Sequence, residues 1–228
     1  MHFEDTNWQG IEDYLKQDDR VMVVLGACEQ HAWLSLLTDT KIPLALAGAA
    51  SKLSGVVVAP PLNFGISPYF LSSQGTISIQ VGTYVHLVED ILRSLYGYGF
   101  KRVLILNGHG GNTPAKSHLS SLVNILPDLR IRWYSWWTSP SVVRFSTENG
   151  LTNQHANWEE NFTFTRVANS PSYRKPIVEE TNEILSAPAT RALAMDGSYG
   201  GDYQISDQLM QKMFDLCLAD VLEELKFN

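Results

Sequence analysis

The chain has 228 residues, 44% of them hydrophobic and 18% charged, which suits a globular α/β domain with a full core and excludes a disordered chain. A formal net charge of -7 without any basic block argues against a nucleic-acid partner. The acidic start Met1-His2-Phe3-Glu4-Asp5 lacks the apolar stretch of a signal peptide, no apolar run is long enough for a membrane span, and two distant cysteines, Cys28 and Cys217, suit a reducing cytoplasm.

Thr6-Asn7 reads as a helix start before Ile11–Leu15. Val21–Leu25 is an unalternating, β-branched run, the pattern of a strand covered on both faces. Leu44–Leu53 reads as a helix, and Gly55–Ala59 as a strand stopped by Pro60-Pro61. The irregular stretch Asn63–Tyr69 follows, and such stretches after strands tend to be functional. Thr76–Gln80 reads as a strand and Tyr84–Tyr98 as a helix ending near Gly97 and Gly99. Arg102–Leu106 is a second buried strand, followed by a glycine loop and a helix over Thr113–Leu126. Leu129–Trp137 reads as a strand, Trp158–Val167 as a helix carrying Glu159 and Glu160, Met195–Ile205 as a loop, and Ser206–Leu225 as an amphipathic helix. Strands alternating with helices predict a three-layer α/β/α fold with a mostly parallel sheet, in one domain over residues 1–228.

The loop Asn107-Gly108-His109-Gly110-Gly111-Asn112 is the most informative segment. Glycines contribute no packing, so a histidine set among them at a strand end is not there for stability. In open α/β sheets, ligands bind at the carboxyl ends of the strands. Glu29-Gln30-His31, with Asp39 beyond it, follows the Val21–Leu25 run in the same way. Residues i and i+2 of an extended segment share a face, so Glu29 and His31 can enter one site. With Asp39 and His109 they form a mixed N/O set suited to Zn²⁺, Mn²⁺ or Fe²⁺. The loop matches neither the dinucleotide nor the Walker glycine pattern, so phosphate binding is the lesser reading. In the third cluster, His155-Ala156-Asn157-Trp158-Glu159-Glu160, His155 can carry a proton near neutral pH. Only one of Glu159 and Glu160 is expected to reach the site.

These three clusters, with Gly200-Gly201-Asp202 before the last helix, resemble in order and spacing the creatininase family of metal-dependent amidohydrolases. The resemblance implies a creatininase-like fold and two divalent metals per subunit, bridged by Asp39. Glu29 and His109 would hold one metal and His31 the other. Some members complete the second metal with a glutamate where this chain has Gly111; in double-glycine members the glutamate after the His-Ala segment takes that place, here Glu160. His155 falls at the proton-shuttling histidine of the family. The resemblance further implies a homo-oligomer, often a hexamer.

The expected function is hydrolysis of a non-peptide C–N bond in a cyclic amide or formamide by a metal-activated water. His155 and Glu160 are the expected catalytic residues, and Gly110, Gly111, Asn112 and Trp158 the expected small-molecule contacts. Trp33, Trp136 and Trp137 are further candidates to stack on a flat ring. Alternatives are a formamidopyrimidine-nucleotide deformylase, with Lys116 and Arg144 as candidate phosphate contacts, a peptide-trimming relative, or a ligand-binding protein that has lost catalysis.

Overall fold

Two apolar runs, Val21–Leu25 and Val103–Leu106, set the centre of the molecule, because every residue in them is buried. The computed structural model describes residues 1–179 and 181–228. In chain order the elements are α1 (Trp8–Leu15), β1 (Arg20–Leu25), α2 (Thr38–Ser54), β2 (Val57–Val58), α3 (Val81–Tyr98), β3 (Arg102–Asn107), α4 (Thr113–Ile125), β4 (Arg130–Ser135), α5 (Pro140–Glu148), α6 (Ala187–Ala194) and α7 (Asp207–Glu224). The four strands form one parallel sheet in the order β2-β1-β3-β4.

Side chains alternate between the two faces of a strand, and both faces are covered here. Met22, Val24, Leu104 and Leu106 pack with Ile42 and Leu46 of α2, Val142 and Phe145 of α5, and Met213 and Val221 of α7. Val21, Val23, Val103 and Ile105 pack on the other side with Tyr84, Val88 and Leu92 of α3 and Leu119 of α4. The result is the expected three-layer α/β/α architecture.

Register decides where the site lies. Leu25 pairs with Asn107, and Asn107 pairs with Ser135. Three neighbouring strands therefore end level, and the segments after them leave one edge of the sheet together. No helix among the described residues is long and apolar enough to cross a membrane.

Several elements differ from the sequence reading. The Leu44–Leu53 helix begins earlier, at Thr38, with Asp39 in its first turn. Pro43 lies inside it and obscured that start, since proline cannot donate the backbone bond a helix interior needs. Only Val57–Val58 of the second expected strand pairs. Thr76–Gln80 makes isolated bridges, Cys28 with Ile77 and Gly65 with Ser78, because it pairs with loops and not with the sheet. The Leu129–Trp137 strand stops at Ser135, and Trp136–Thr138 forms a 3-10 turn. The expected helix over Trp158–Val167 is a single 3-10 turn, Trp158–Glu160. Aromatic and β-branched Phe162, Thr163, Phe164 and Thr165 favour helix poorly, and the Asn161 amide is drawn off to the Tyr203 carbonyl. Helices α5 and α6 went unread, although each has a serine cap followed by proline: Ser139-Pro140 and Ser186-Ala187-Pro188.

Candidate metal centre

Glu29 and His31 lie just beyond β1, where Glu29 N–H donates to the Leu36 carbonyl. Asp39 sits on the first turn of α2. His109 follows β3, and Gly108 N–H bonds back to the Leu25 carbonyl at 2.8 Å. Gly108 brings the β3 end onto α2, since a Cβ at that position would lie 1.8 Å from the Asp39 carbonyl oxygen. Glu160 ends the Trp158–Glu160 turn, and its Oε2 accepts from Ala156 N–H at 2.7 Å.

The two imidazoles are oriented by backbone acceptors. His31 Nδ1–H donates to the Glu29 carbonyl at 3.0 Å, which leaves Nε2 aimed at Asp39 Oδ1, 3.0 Å away, and Glu160 Oε1, 3.5 Å away. His109 Nε2–H donates to the Ile66 carbonyl at 2.9 Å, with Ser67 Oγ at 3.1 Å. Its Nδ1 then faces Asp39 Oδ2 at 3.0 Å. Asp39 thus offers one oxygen to each histidine. The donors form two three-residue groups, Glu29/Asp39/His109 and His31/Asp39/Glu160, and Asp39 belongs to both. Glu29, His31 and His155 form a third group.

Glu29 Oε2, Asp39 Oδ2 and His31 Nε2 are sealed from solvent without a well-formed hydrogen bond. Buried polar atoms left this way are costly unless a cation meets them. Backbone carbonyls that fix the tautomer of the facing nitrogen are the usual support of a metal-binding histidine. The residues present therefore fit two divalent ions with N/O ligands.

Electrostatics agree. Burial pushes the Glu29 carboxyl up to about 7 against the pull of His109. Burial also disfavours charge on Asp39, yet His31 and His109 together hold its carboxyl far below the usual range. Burial acts to lower His109, but the Asp39 and Glu29 charges raise it to about 9. His31 is likewise raised, by Asp39 and Glu160 over the effect of burial. Glu160 is lowered, because His31 outweighs its burial. Without a cation, protons on the imidazoles balance the carboxylates. His155 is the exception, since burial and the neighbouring His31 charge lower it to about 4.

A cavity of about 400 Å³ opens beside these groups. Glu29, Asp39, His109, His155 and Glu160 border it, together with Gly110 from the expected contacts. Three other expected contacts do not. Gly111 is packed against backbone, and a Cβ there would lie 2.0 Å from the Ile66 oxygen. Asn112 is wholly buried and ties two loops, its amide donating to Gly26 O at 3.1 Å and Asn107 Oδ1 at 3.3 Å. Trp158 is also fully buried, beside Phe145, with its indole N–H donating to Thr152 O at 2.9 Å. Trp158 is therefore a core residue, as is Trp136, while Trp137 borders the cavity. Both Glu159 and Glu160 reach the cavity wall, but only Glu160 meets an imidazole. Glu159 accepts from Asn153 at 2.5 Å, and burial, reinforced by the Glu160 charge, raises its carboxyl well above normal. The sequence reading missed Phe70, Gln154 and Tyr199 as cavity residues. Tyr69 lies in the irregular stretch Asn63–Tyr69, and Tyr199 in the Met195–Ile205 loop.

The family model for creatininase (creatinine amidohydrolase) matches residues 4–225. A 3-dehydro-scyllo-inosose hydrolase of Thermotoga maritima is 24% identical over 140 residues, covering 59% of this chain and 45% of that protein. A mycofactocin precursor peptide peptidase of Mycolicibacterium smegmatis is 37% identical over 102 residues, covering 42% and 41%. A creatinine amidohydrolase of Pseudomonas putida is 28% identical over 116 residues, covering 48% and 45%. The matches span less than half the length of these relatives. Among solved structures, a creatinine amidohydrolase (creatininase) superposes with a TM-score of 0.83 at 19% identity, covering 97% of this chain and 95% of that one. A structure described as creatininase Mn gives 0.84 at 19% identity, covering 99% and 97%. A mutant creatininase of Zn-Zn type gives 0.82 at 18% identity, covering 99% and 96%. These distant structural likenesses establish the fold, and the family model, matching nearly the whole length, shows that the chain belongs to the creatininase family.

Proposed function

We propose that this chain is a metal-dependent hydrolase that cleaves a non-peptide C–N bond in a small, flat, uncharged or cationic substrate, a cyclic amide or a formamide. The observation that carries this reading is the pair of three-donor groups sharing Asp39 at the wall of a cavity. Glu29 and His109 would hold one ion, His31 and Glu160 the other, and Asp39 both. A divalent pair there supplies Lewis-acid polarisation of a carbonyl and acidifies water. Zn, Mn and Fe all suit the donor set, and solved family structures are described with Mn or Zn.

His155 is the group that meets the leaving nitrogen in this reading. Its Nδ1 stands 3.9 Å from Glu29 Oε1, and its depressed basicity keeps it neutral at pH 7. The neighbouring Glu29 carboxylate can take the proton of the attacking water and pass it to the leaving nitrogen, while the neutral His155 ring hydrogen-bonds that nitrogen and orients it. Glu160 acts as ligand and, through the Ala156 bond, fixes the loop that carries His155.

The walls favour a flat ring. Tyr69, Phe70, Trp137 and Tyr199 supply aromatic surface. Among the described residues no lysine or arginine borders the cavity. Lys116 and Arg144 are exposed and lie outside its wall. A phosphorylated nucleotide would meet carboxylates with no cation from the protein, so the deformylase of nucleotides is the weaker reading. The intact donor set also speaks against a degenerate binding protein. We further expect a homo-oligomer, supported by the exposure of Trp8 (72%) and Tyr98 (71%) around one apolar groove.

The test is metal content per subunit of wild type, His31→Ala and Glu160→Ala, followed by a screen of cyclic amides and formamides. Close to two metals in wild type, one lost in each variant, and turnover abolished in both support the reading. A fully loaded protein with no turnover on either class would sink the C–N hydrolase, and no metal uptake would sink the metal centre itself. Light scattering of the same preparation gives the subunit number.

A further inference from the structure

Gln30 lies between two proposed ligands, Glu29 and His31, yet it belongs to none of the donor groups. It is only 7% exposed, and its side-chain amide is held on three sides. Oε1 accepts from Ala32 N–H at 3.1 Å. Nε2 donates to the Gly197 carbonyl at 3.1 Å and lies 3.0 Å from His155 Nε2. The amide cannot be turned over. Reversed, it would set its oxygen against the Gly197 oxygen and its NH₂ against the Ala32 N–H. Gly197 is packed directly on it, since a Cβ there would lie 1.8 Å from Gln30 Oε1 and the backbone φ is +97°.

The second amide hydrogen of Gln30 therefore points at His155 Nε2. A protonated Nε2 would face the Gln30 N–H donor at 3.0 Å, one donor against another, so that nitrogen presents its lone pair. The His155 ring cannot swing away, because Phe70 stacks on it at 4.7 Å and the Tyr199 ring meets it edge-on at 5.6 Å. We infer that Gln30 is a positioning residue that sets the tautomer of His155, keeping the imidazole proton on Nδ1, the nitrogen that faces Glu29 and the cavity. The backbone carbonyl of Gln30 is 3.2 Å from the same Nε2. Once the side-chain amide is removed, that carbonyl becomes the remaining partner and draws the proton to Nε2.

The consequence for turnover rests on the hydrolase reading above, whereas the tautomer does not. With the proton on Nδ1, His155 offers a hydrogen bond from Nδ1–H that can orient a leaving nitrogen in the cavity, the proton of the attacking water being carried by the neighbouring carboxylate. With the proton on Nε2, that donor is missing at the start of each cycle.

The experiment is ¹⁵N NMR of imidazole-labelled, zinc-loaded protein, in wild type, Gln30→Met and Gln30→Glu. His155 is identified by the loss of its signals in His155→Gln. Wild type is expected to show an unprotonated Nε2 and a protonated Nδ1, and both Gln30 variants the reverse, with metal content unchanged. A protonated Nε2 in wild type, or a tautomer indifferent to both substitutions, overturns the inference. Should neither variant fold, the wild-type spectrum still decides. Kinetics then add a second readout: kcat falls at least tenfold in Gln30→Met with KM little changed. A correct tautomer in a protein without hydrolytic turnover leaves the inference standing and removes the proposed reaction.

Discussion

Replacing Gly108 by alanine tests the geometry on which the centre depends. The added methyl would lie 1.8 Å from the Asp39 carbonyl oxygen, 2.8 Å from its carbon and 2.8 Å from Pro43 Cγ. None of these is the end of a flexible side chain, so clearing the overlap needs a backbone shift of more than about 1 Å. Overpacking of this kind costs about 1–3 kcal/mol. For a chain of this size that lowers Tm by roughly 2–12 °C. The shift falls on Asp39, which both donor groups share, so both metals should be lost together. Differential scanning calorimetry and metal analysis of the same sample read the two effects. Gly97→Ala is the control, because a Cβ there meets nothing within 4 Å and it lies inside α3. That change should stabilise by about 0.5–1 kcal/mol. A Gly108→Ala protein with wild-type Tm and full metal content would refute the close approach of β3 to α2.

Metal binding should be pH-dependent. His109 titrates near 9 without metal and His31 is also raised, so binding at pH 6–8 must expel their protons. Apparent affinity should fall by about tenfold per pH unit for each proton released as pH drops below 9; calorimetry in buffers of different ionisation heat checks this, and constant affinity between pH 6 and 8 would exclude it. Glu159 has a folded-state pKa raised by burial, so its contribution to stability is complete below the unfolded value and is lost as pH rises toward the folded one. Glu159→Gln should therefore melt higher than wild type at pH 8 and about equally at pH 4, and a lower Tm at both would contradict that assignment. Trp158→Ala should cost about 3–5 kcal/mol as a core truncation, while Trp137→Ala, at a side chain only partly buried against the same core, should raise KM and cost less stability in urea unfolding. Equal effects of the two substitutions on both assays would dissolve the distinction between them.

The chemistry was legible wherever a strand end delivered it. Val21–Leu25 and Arg102–Leu106 read as doubly covered strands, so the sequence alone places Glu29, His31 and His109 at one sheet edge. Asp39 falls in both donor groups, but its place on a helix was hidden by Pro43. Trp158 and Asn112 were misplaced for a different reason. Their residue types suit ligand contact and burial equally, and only the fold shows Trp158 beside Phe145 and Asn112 tying two loops. Phe70 ends a single 3-10 turn and Gln154 and Tyr199 lie in loops, all too short or irregular to carry a periodicity from which a facing direction could be read.

The two donor groups also differ in how much of the chain each draws on. Glu29, Asp39 and His109 all lie between residues 29 and 109, on or beside the paired strands β1 and β3. The other group needs Glu160, on a turn tied to the later chain by Trp158 N–H on the Asp202 carbonyl. Loosening the C-terminal half of the molecule would therefore open the second group while every member of the first kept its place at the sheet edge.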